Sequence, residues 1–138
     1  MPDWLIAFCT HPVTLLTLGG GAGANARYWL GLLIAEWQRH RFERLEFPWA
    51  TFFINVSGSV VLGFVAVMWM NHHDPARRNW YLLIGTGFCG GFTTFSTFSY
   101  ETLQLVQDGK PWAALAYALG SVAAGLIGVG VAVKLAGK

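Results

Sequence analysis

The sequence predicts an all-α membrane protein with four transmembrane helices, on three observations. Only 12% of the 138 residues are charged while 54% are hydrophobic, and the mean hydropathy is +0.46. Soluble domains carry about a quarter charged residues, so this chain lacks the charge to coat a water-soluble globule. The charges are bunched, which leaves four apolar stretches at 12–35, 49–70, 80–106 and 112–133, each long enough to supply the about 20 residues that a helix needs to cross the hydrocarbon core. Tryptophans stand near their borders, at Trp4, Trp37, Trp49, Trp69, Trp80 and Trp112, where amphipathic indole rings favour the headgroup region.

The first span, 12–35, holds one charge, Arg27, two residues after Asn25. Its Gly21-Ala22-Gly23-Ala24-Asn25-Ala26 fits a dinucleotide-binding fingerprint, but no strand and helix alternation follows it, so packing glycines are expected instead. Met1-Pro2-Asp3-Trp4 supplies no cationic leader, so this first helix is expected to stay uncleaved. The second span carries Thr51, Asn55 and Ser59 four residues apart, one polar stripe at helical spacing. The third span contains Glu101, the one acidic residue in the four spans, and the fourth contains Ser121. Short polar segments at 36–48, 71–79 and 107–111 join them, as between antiparallel helices. All of the chain, 1–138, is thus one four-helix domain in the bilayer.

The composition also excludes function classes. A soluble enzyme domain is not expected at this charge content. A net charge of +2 from nine Lys/Arg and seven Asp/Glu, with no basic face or tail, gives no means of neutralising nucleic-acid phosphates. Cys9 and Cys89 fit neither a disulfide framework nor zinc spacing. The adjacent His72-His73 has no further ligands beside it in the sequence, so a metal site there is not expected.

Orientation signals are balanced. One side of a four-span topology holds Arg77, Arg78, Lys134 and Lys138, the other Arg39, Arg41, Arg44 and Lys110. A tie gives the positive-inside rule nothing to act on, which leaves two readings: a weakly oriented chain, or one that inserts both ways round and pairs antiparallel with itself. Four helices are too thin for a large alternating-access cavity, so an oligomer is expected. Small residues four apart, as in Gly19/Gly23, Ser59/Gly63, Gly87/Gly91, Ser121/Gly125 and Ala124/Gly128, let helix backbones approach closely, within one chain or between chains.

Span three is the most informative. Residues 85–99 place four glycines, Thr and Ser in an uncharged membrane stretch. Gly90-Gly91 followed by Thr93-Thr94 is a poor helix sequence, so a break is expected over 90–94. Unwound backbone at bilayer depth is tolerated where it lines a site, with carbonyls available to a cation and N–H groups to an anion. Phe95 and Phe98 then share a face of the helix that resumes. Their electropositive ring edges, beside hydroxyls, can replace part of a small anion's water shell without a fixed positive charge.

The glycine-rich run ending at Arg27-Tyr28, the Asn-Val-x-Gly-x-x-x-x-Gly from Asn55 to Gly63, and Gly-Phe-Cys-Gly-Gly-Phe-Thr-Thr-Phe-Ser-Thr-Phe-Ser from Gly87 to Ser99 together resemble the Fluc fluoride channels, also called the CrcB family. The resemblance implies an antiparallel, dual-topology homodimer in the cell inner membrane, with two pores that pass fluoride out of the cytoplasm down its gradient. It implies pore roles for Phe95, Phe98 and Asn55, and a polar track of Ser121 and Thr97 with Thr51 and Glu101 nearer the mouths. Arg27 matches the family's first-helix arginine at a vestibule. The Gly90 and Thr93 carbonyls match those that hold a structural sodium ion at the dimer centre. Where relatives can carry a second span-four hydroxyl, this chain has Gly125. The alternatives are a small multidrug-resistance-type proton-coupled exporter, which needs a buried acid in its first helix where this chain has none, and an assembly subunit without transport, which needs no break flanked by two Phe.

Overall fold

A computed structural model describes residues 2–41, 47–70 and 74–137. Arg44 and Lys138 of the charge count, and the His72-His73 pair, lie outside them. The described residues form helices α1 (Asp3–Thr10), α2 (Pro12–Arg41), α3 (Trp49–Val65), α4 (Pro75–Trp80), α5 (Gly90–Phe92), α6 (Phe95–Gln107) and α7 (Pro111–Ala136). α3 continues as a π-helical turn over Ala66–Met70, and α4 runs into α5 through a π-helical segment, Tyr81–Cys89.

Local chemistry sets the ends. The Asp74 carboxylate accepts from Ala76 N at 3.0 Å, and Pro75 occupies the first helical position, where its missing N–H costs nothing. Gly109, at φ 74°, turns the chain between α6 and α7, and Lys110 N donates to Leu105 O at 2.9 Å across that turn. At the exposed end of α2, Arg39 and His40 both bond to Glu36 and hold its carboxyl below the usual range.

Two helices, Trp49–Met70 and Pro111–Ala136, are long and apolar enough to cross a bilayer unaided, and α1 with α2 passes as one span bent by 54°. The second expected span coincides with Trp49–Met70, the first and fourth extend beyond 35 and 133, and α1 adds about two turns ahead of the first. The third, expected over 80–106, is two pieces. Its break is narrower than the expected 90–94 and falls on different residues: Gly90 through Phe92 remain helical, and only Thr93 (φ −78°, ψ 160°) and Thr94 (φ −149°, ψ 115°) are extended. β-Branched residues favour that conformation, whereas Gly91 is used for close approach to Gly20.

The glycine pairs meet within the chain. A β-carbon on Gly19 would strike Leu83 O, one on Gly23 would strike Phe88 O, and one on Gly91 would strike Gly20 O, so α2 and the segment from Tyr81 to Phe92 lie backbone to backbone. A second seam joins α3 and α7, where a β-carbon on Gly63 would come within 2.9 Å of Ala132 Cβ and one on Gly128 within 2.8 Å of Val60 Cγ2. A methyl at Gly19 has only carbonyl and backbone atoms to displace, whereas one at Gly21 meets nothing within 4 Å. Gly19→Ala is therefore expected to lower unfolding stability in detergent by about 2 kcal/mol or more, and Gly21→Ala to leave it unchanged or raise it by up to about 1 kcal/mol. Equal melting shifts for the two variants would contradict the seam.

Candidate functional site

The break in the third span is held open by α3. Asn55 Oδ1 accepts from Thr94 N at 2.8 Å while its Nδ2 donates to Thr94 O at 3.1 Å, so one side chain satisfies both polar groups of an extended residue that has left its helix. Three residues on, one turn along the same face, Gly58 makes room for the break, since a β-carbon there would collide with Thr93 Cγ2 and lie 3.2 Å from Phe92 Cδ1. Hydroxyls finish the two helix ends. Thr93 N and Oγ1 both donate to Cys89 O, at 2.9 and 2.8 Å, and Thr94 Oγ1 caps α6 by accepting from Thr97 N at 3.2 Å. Thr94 Oγ1 also bonds Thr97 Oγ1 at 3.0 Å.

An open cavity of about 450 Å³ lies over this break, bordered by Asn55, Gly90, Thr93, Phe95 and Phe98, together with Ser59. Gly90 is exposed toward it, with no atom within 4 Å of where a β-carbon would sit. Helix ends leave their last carbonyls without i+4 donors, and the Thr93-Thr94 turn creates such an end here. Carbonyl oxygens of that kind suit a hard monovalent cation, so Gly90 and Thr93 fit the oxygen-only set expected of them. Among the described residues no three His, Cys, Asp or Glu side chains gather to hold a metal.

A line of side chains leads from this cavity toward the far end of α6. The rings of Phe95 and Phe98 have centroids 5.9 Å apart, and Phe98 lies 5.2 Å from Tyr117 on α7. Tyr117 is fully buried, and its hydroxyl donates to Glu101 Oε2 at 2.8 Å, while Thr51 Oγ1 donates to Glu101 Oε1 at 2.9 Å. Glu101 in turn borders a second cavity, about 340 Å³, with Gln38, Gln104 and Asp108. Phe95, which is 79% exposed, presents its ring outside the chain.

Of the residues singled out from sequence, Asn55, Phe95, Phe98, Gly90 and Thr93 share the first cavity, and Thr97 joins them through Thr94. Thr51 and Glu101 form a separate cluster, connected to the first by Phe98 and Tyr117. The Ser121 hydroxyl is buried with no hydrogen-bond partner, one helical turn from Tyr117. Arg27 borders neither cavity; it is half-buried on α2 and makes no ion pair or hydrogen bond among the described residues. The space beside Gly125 is met by Ser59 Oγ, 3.5 Å from a β-carbon position there. Sequence reasoning passed over Tyr117 and the capping role of Thr94. The signal for Tyr117 was Glu101 itself, because a lone acid in a membrane span needs donors and a tyrosine in the neighbouring span can supply one.

The family model described as CrcB-like protein, Camphor Resistance (CrcB), matches residues 14–133. A protein of Oceanobacillus iheyensis named Fluoride-specific ion channel FluC is 42% identical over 120 residues, covering 87% of this chain and 84% of its own length. Proteins of the same name from Paramagnetospirillum magneticum and Pyrococcus horikoshii are 42% and 38% identical, over 83% and 75% of this chain and 87% and 78% of their own lengths.

Removing the Asn55 amide orphans a buried N–H and C=O together. Asn55→Leu is expected to lower stability by about 2 to 4 kcal/mol, and Asn55→Asp, which keeps an acceptor for Thr94 N but loses the donor to Thr94 O, by less. Thermal unfolding in one detergent checks the order; a neutral Asn55→Leu would show that the break does not depend on this amide.

Proposed function

The chain belongs to the CrcB family, and on that premise we propose that it is a fluoride-selective ion channel that passively exports fluoride from the cytoplasm and so lowers its toxicity. It is a membrane channel and not an enzyme. The observation that carries the reading is the continuous line of Phe95, Phe98, Tyr117 and Glu101 between two cavities. Along it an anion meets ring edges and hydroxyls rather than a fixed cation. A site without a full positive charge holds the ion weakly enough to release it.

Each residue then has a distinct task. Phe95 and Phe98 supply ring edges, and Asn55 fixes the break that places them. The Ser121 hydroxyl, which has no partner among the described residues, is available to donate to the ion. Thr97 is held beside the rings by Thr94. Thr51 and Tyr117 engage both oxygens of Glu101, which limits the repulsion that this carboxylate exerts at the mouth. Arg27, unpaired on α2, raises the local anion concentration at a vestibule. The channel is an antiparallel, dual-topology homodimer of the inner membrane with two pores. The exposure of Phe95 and the open cavity at Gly90 support a second chain there, and so do the balanced arginines and lysines. The carbonyls of Gly90 and Thr93 from both chains would hold a sodium ion, which fixes the two broken helices together. A proton-coupled multidrug exporter is not favoured: the first span holds no acid, and Glu101 lies late in the third span with both oxygens accepting hydrogen bonds.

Fluoride efflux from liposomes, with chloride as control, tests the reading. Phe95→Ile and Phe98→Ile are each expected to cut fluoride efflux about fivefold or more, the equivalent of one ring contact of about 1 kcal/mol, with the oligomer intact by size-exclusion chromatography. Chloride efflux as fast as that of fluoride, or unchanged flux in both variants, would overturn it.

A further inference from the structure

A groove between the α1–α2 elbow and the start of α4 changes character along its length. Its mouth, about 270 Å³, is lined by the polar side chains of Thr10, Arg78 and Asn79. Thr10 and Asn79 also border the adjoining cavity, about 260 Å³, where Leu15 and Leu83 form the wall. Leu83 in turn borders a third cavity, about 490 Å³, which follows the seam between α2 and the π-helical segment past Ala22 and Phe88. The shared residues set the three spaces in a row, with Arg78 at the mouth, where Pro12, Pro75 and Leu82 also line the wall, and apolar side chains alone along the last.

Two magnitudes identify what fits. From Pro12 to Ala22 α2 advances about 15 Å, half of the about 30 Å hydrocarbon thickness, so the apolar limb is one leaflet deep. At the mouth, Arg77 faces the Asp74 carboxylate at 3.9 Å, whereas the Arg78 side chain has no ion pair or hydrogen bond among the described residues. Trp80, half-exposed beside the groove and 6.1 Å from the Trp69 ring, marks the headgroup level. We propose that this groove binds one anionic phospholipid, with its headgroup phosphate on Arg78 beside Thr10 and Asn79, and an acyl chain laid along Leu15, Leu83 and Phe88. A lipid supplies the countercharge that Arg78 lacks and the single-leaflet chain that the seam accommodates. The assignment stands independently of which ion the protein conducts.

Native mass spectrometry of the protein equilibrated with equal amounts of phosphatidylglycerol and phosphatidylcholine tests it. The wild type is expected to retain phosphatidylglycerol in preference. Arg78→Gln is expected to reduce that preference about fivefold, the effect of one basic side chain at a membrane surface, and Arg78→Lys to keep it. Ala22→Phe, which fills the apolar limb, is expected to reduce retention of both lipids, and fluoride efflux through Arg78→Gln to match the wild type as a sign of an intact fold. Equal retention of the two lipids, or an unaltered preference in Arg78→Gln, overturns the proposal. So does displacement of phosphatidylglycerol by an equal concentration of inorganic phosphate, which would identify a free-anion site. A change of oligomer mass in Ala22→Phe without loss of lipid would assign the groove to contact between copies and overturn it too.

Discussion

One amide on α3 makes the rest of the arrangement possible. A peptide that leaves a helix inside hydrocarbon exposes an N–H and a C=O that no water can satisfy, at a cost of several kcal/mol per group. Asn55 answers both groups of Thr94 at once. Few side chains present a donor and an acceptor side by side in this way; Asp would offer only acceptors and Leu nothing. With Thr94 anchored, the chain can stop one helix at Phe92 and start another at Phe95. That restart orients the Phe95 and Phe98 rings and opens the cavity above Gly90.

The anchor is useful only because the backbones around it come close enough. In hydrocarbon no hydrophobic force draws helices together, so packing and hydrogen bonds must do it. Gly19, Gly23 and Gly91 bring α2 against the segment leading to the break, and Gly63 and Gly128 bring α3 against α7. Gly58 belongs to the same logic at the site itself, where the Thr93 methyl occupies the volume that a side chain would take. The broken span is therefore held on two sides, by hydrogen bonds from α3 and by backbone contact with α2.

Glu101 shows how a charge is managed inside a membrane protein. Its two oxygens accept from Thr51 and Tyr117, donors on α3 and α7, so three helices converge on one carboxylate. Tyr117 has a second role, since its ring carries the aromatic line on from Phe98. Packing and polar satisfaction are supplied by the same side chain, which links the cavity at the break to the cavity at the mouth.

The sequence by itself determined the membrane setting, the all-helical build, the presence of a break near Gly90 to Thr94 and the pairing of Phe95 with Phe98. These follow from local properties: charge content, apolar run length, β-branching and residue spacing. Only the tertiary structure decided that the break falls at Thr93 and Thr94 while the glycines stay helical. One reason is that Gly91 is needed for backbone approach to Gly20 on α2, about seventy residues away. Likewise, Asn55 stood in the sequence as one member of a polar stripe, and nothing local indicated that both ends of its amide would be used by Thr94. Tyr117 was silent for the same reason, because its importance lies in Glu101 and Phe98, on another helix. A single sequence records which groups need partners; the fold determines which partners reach them.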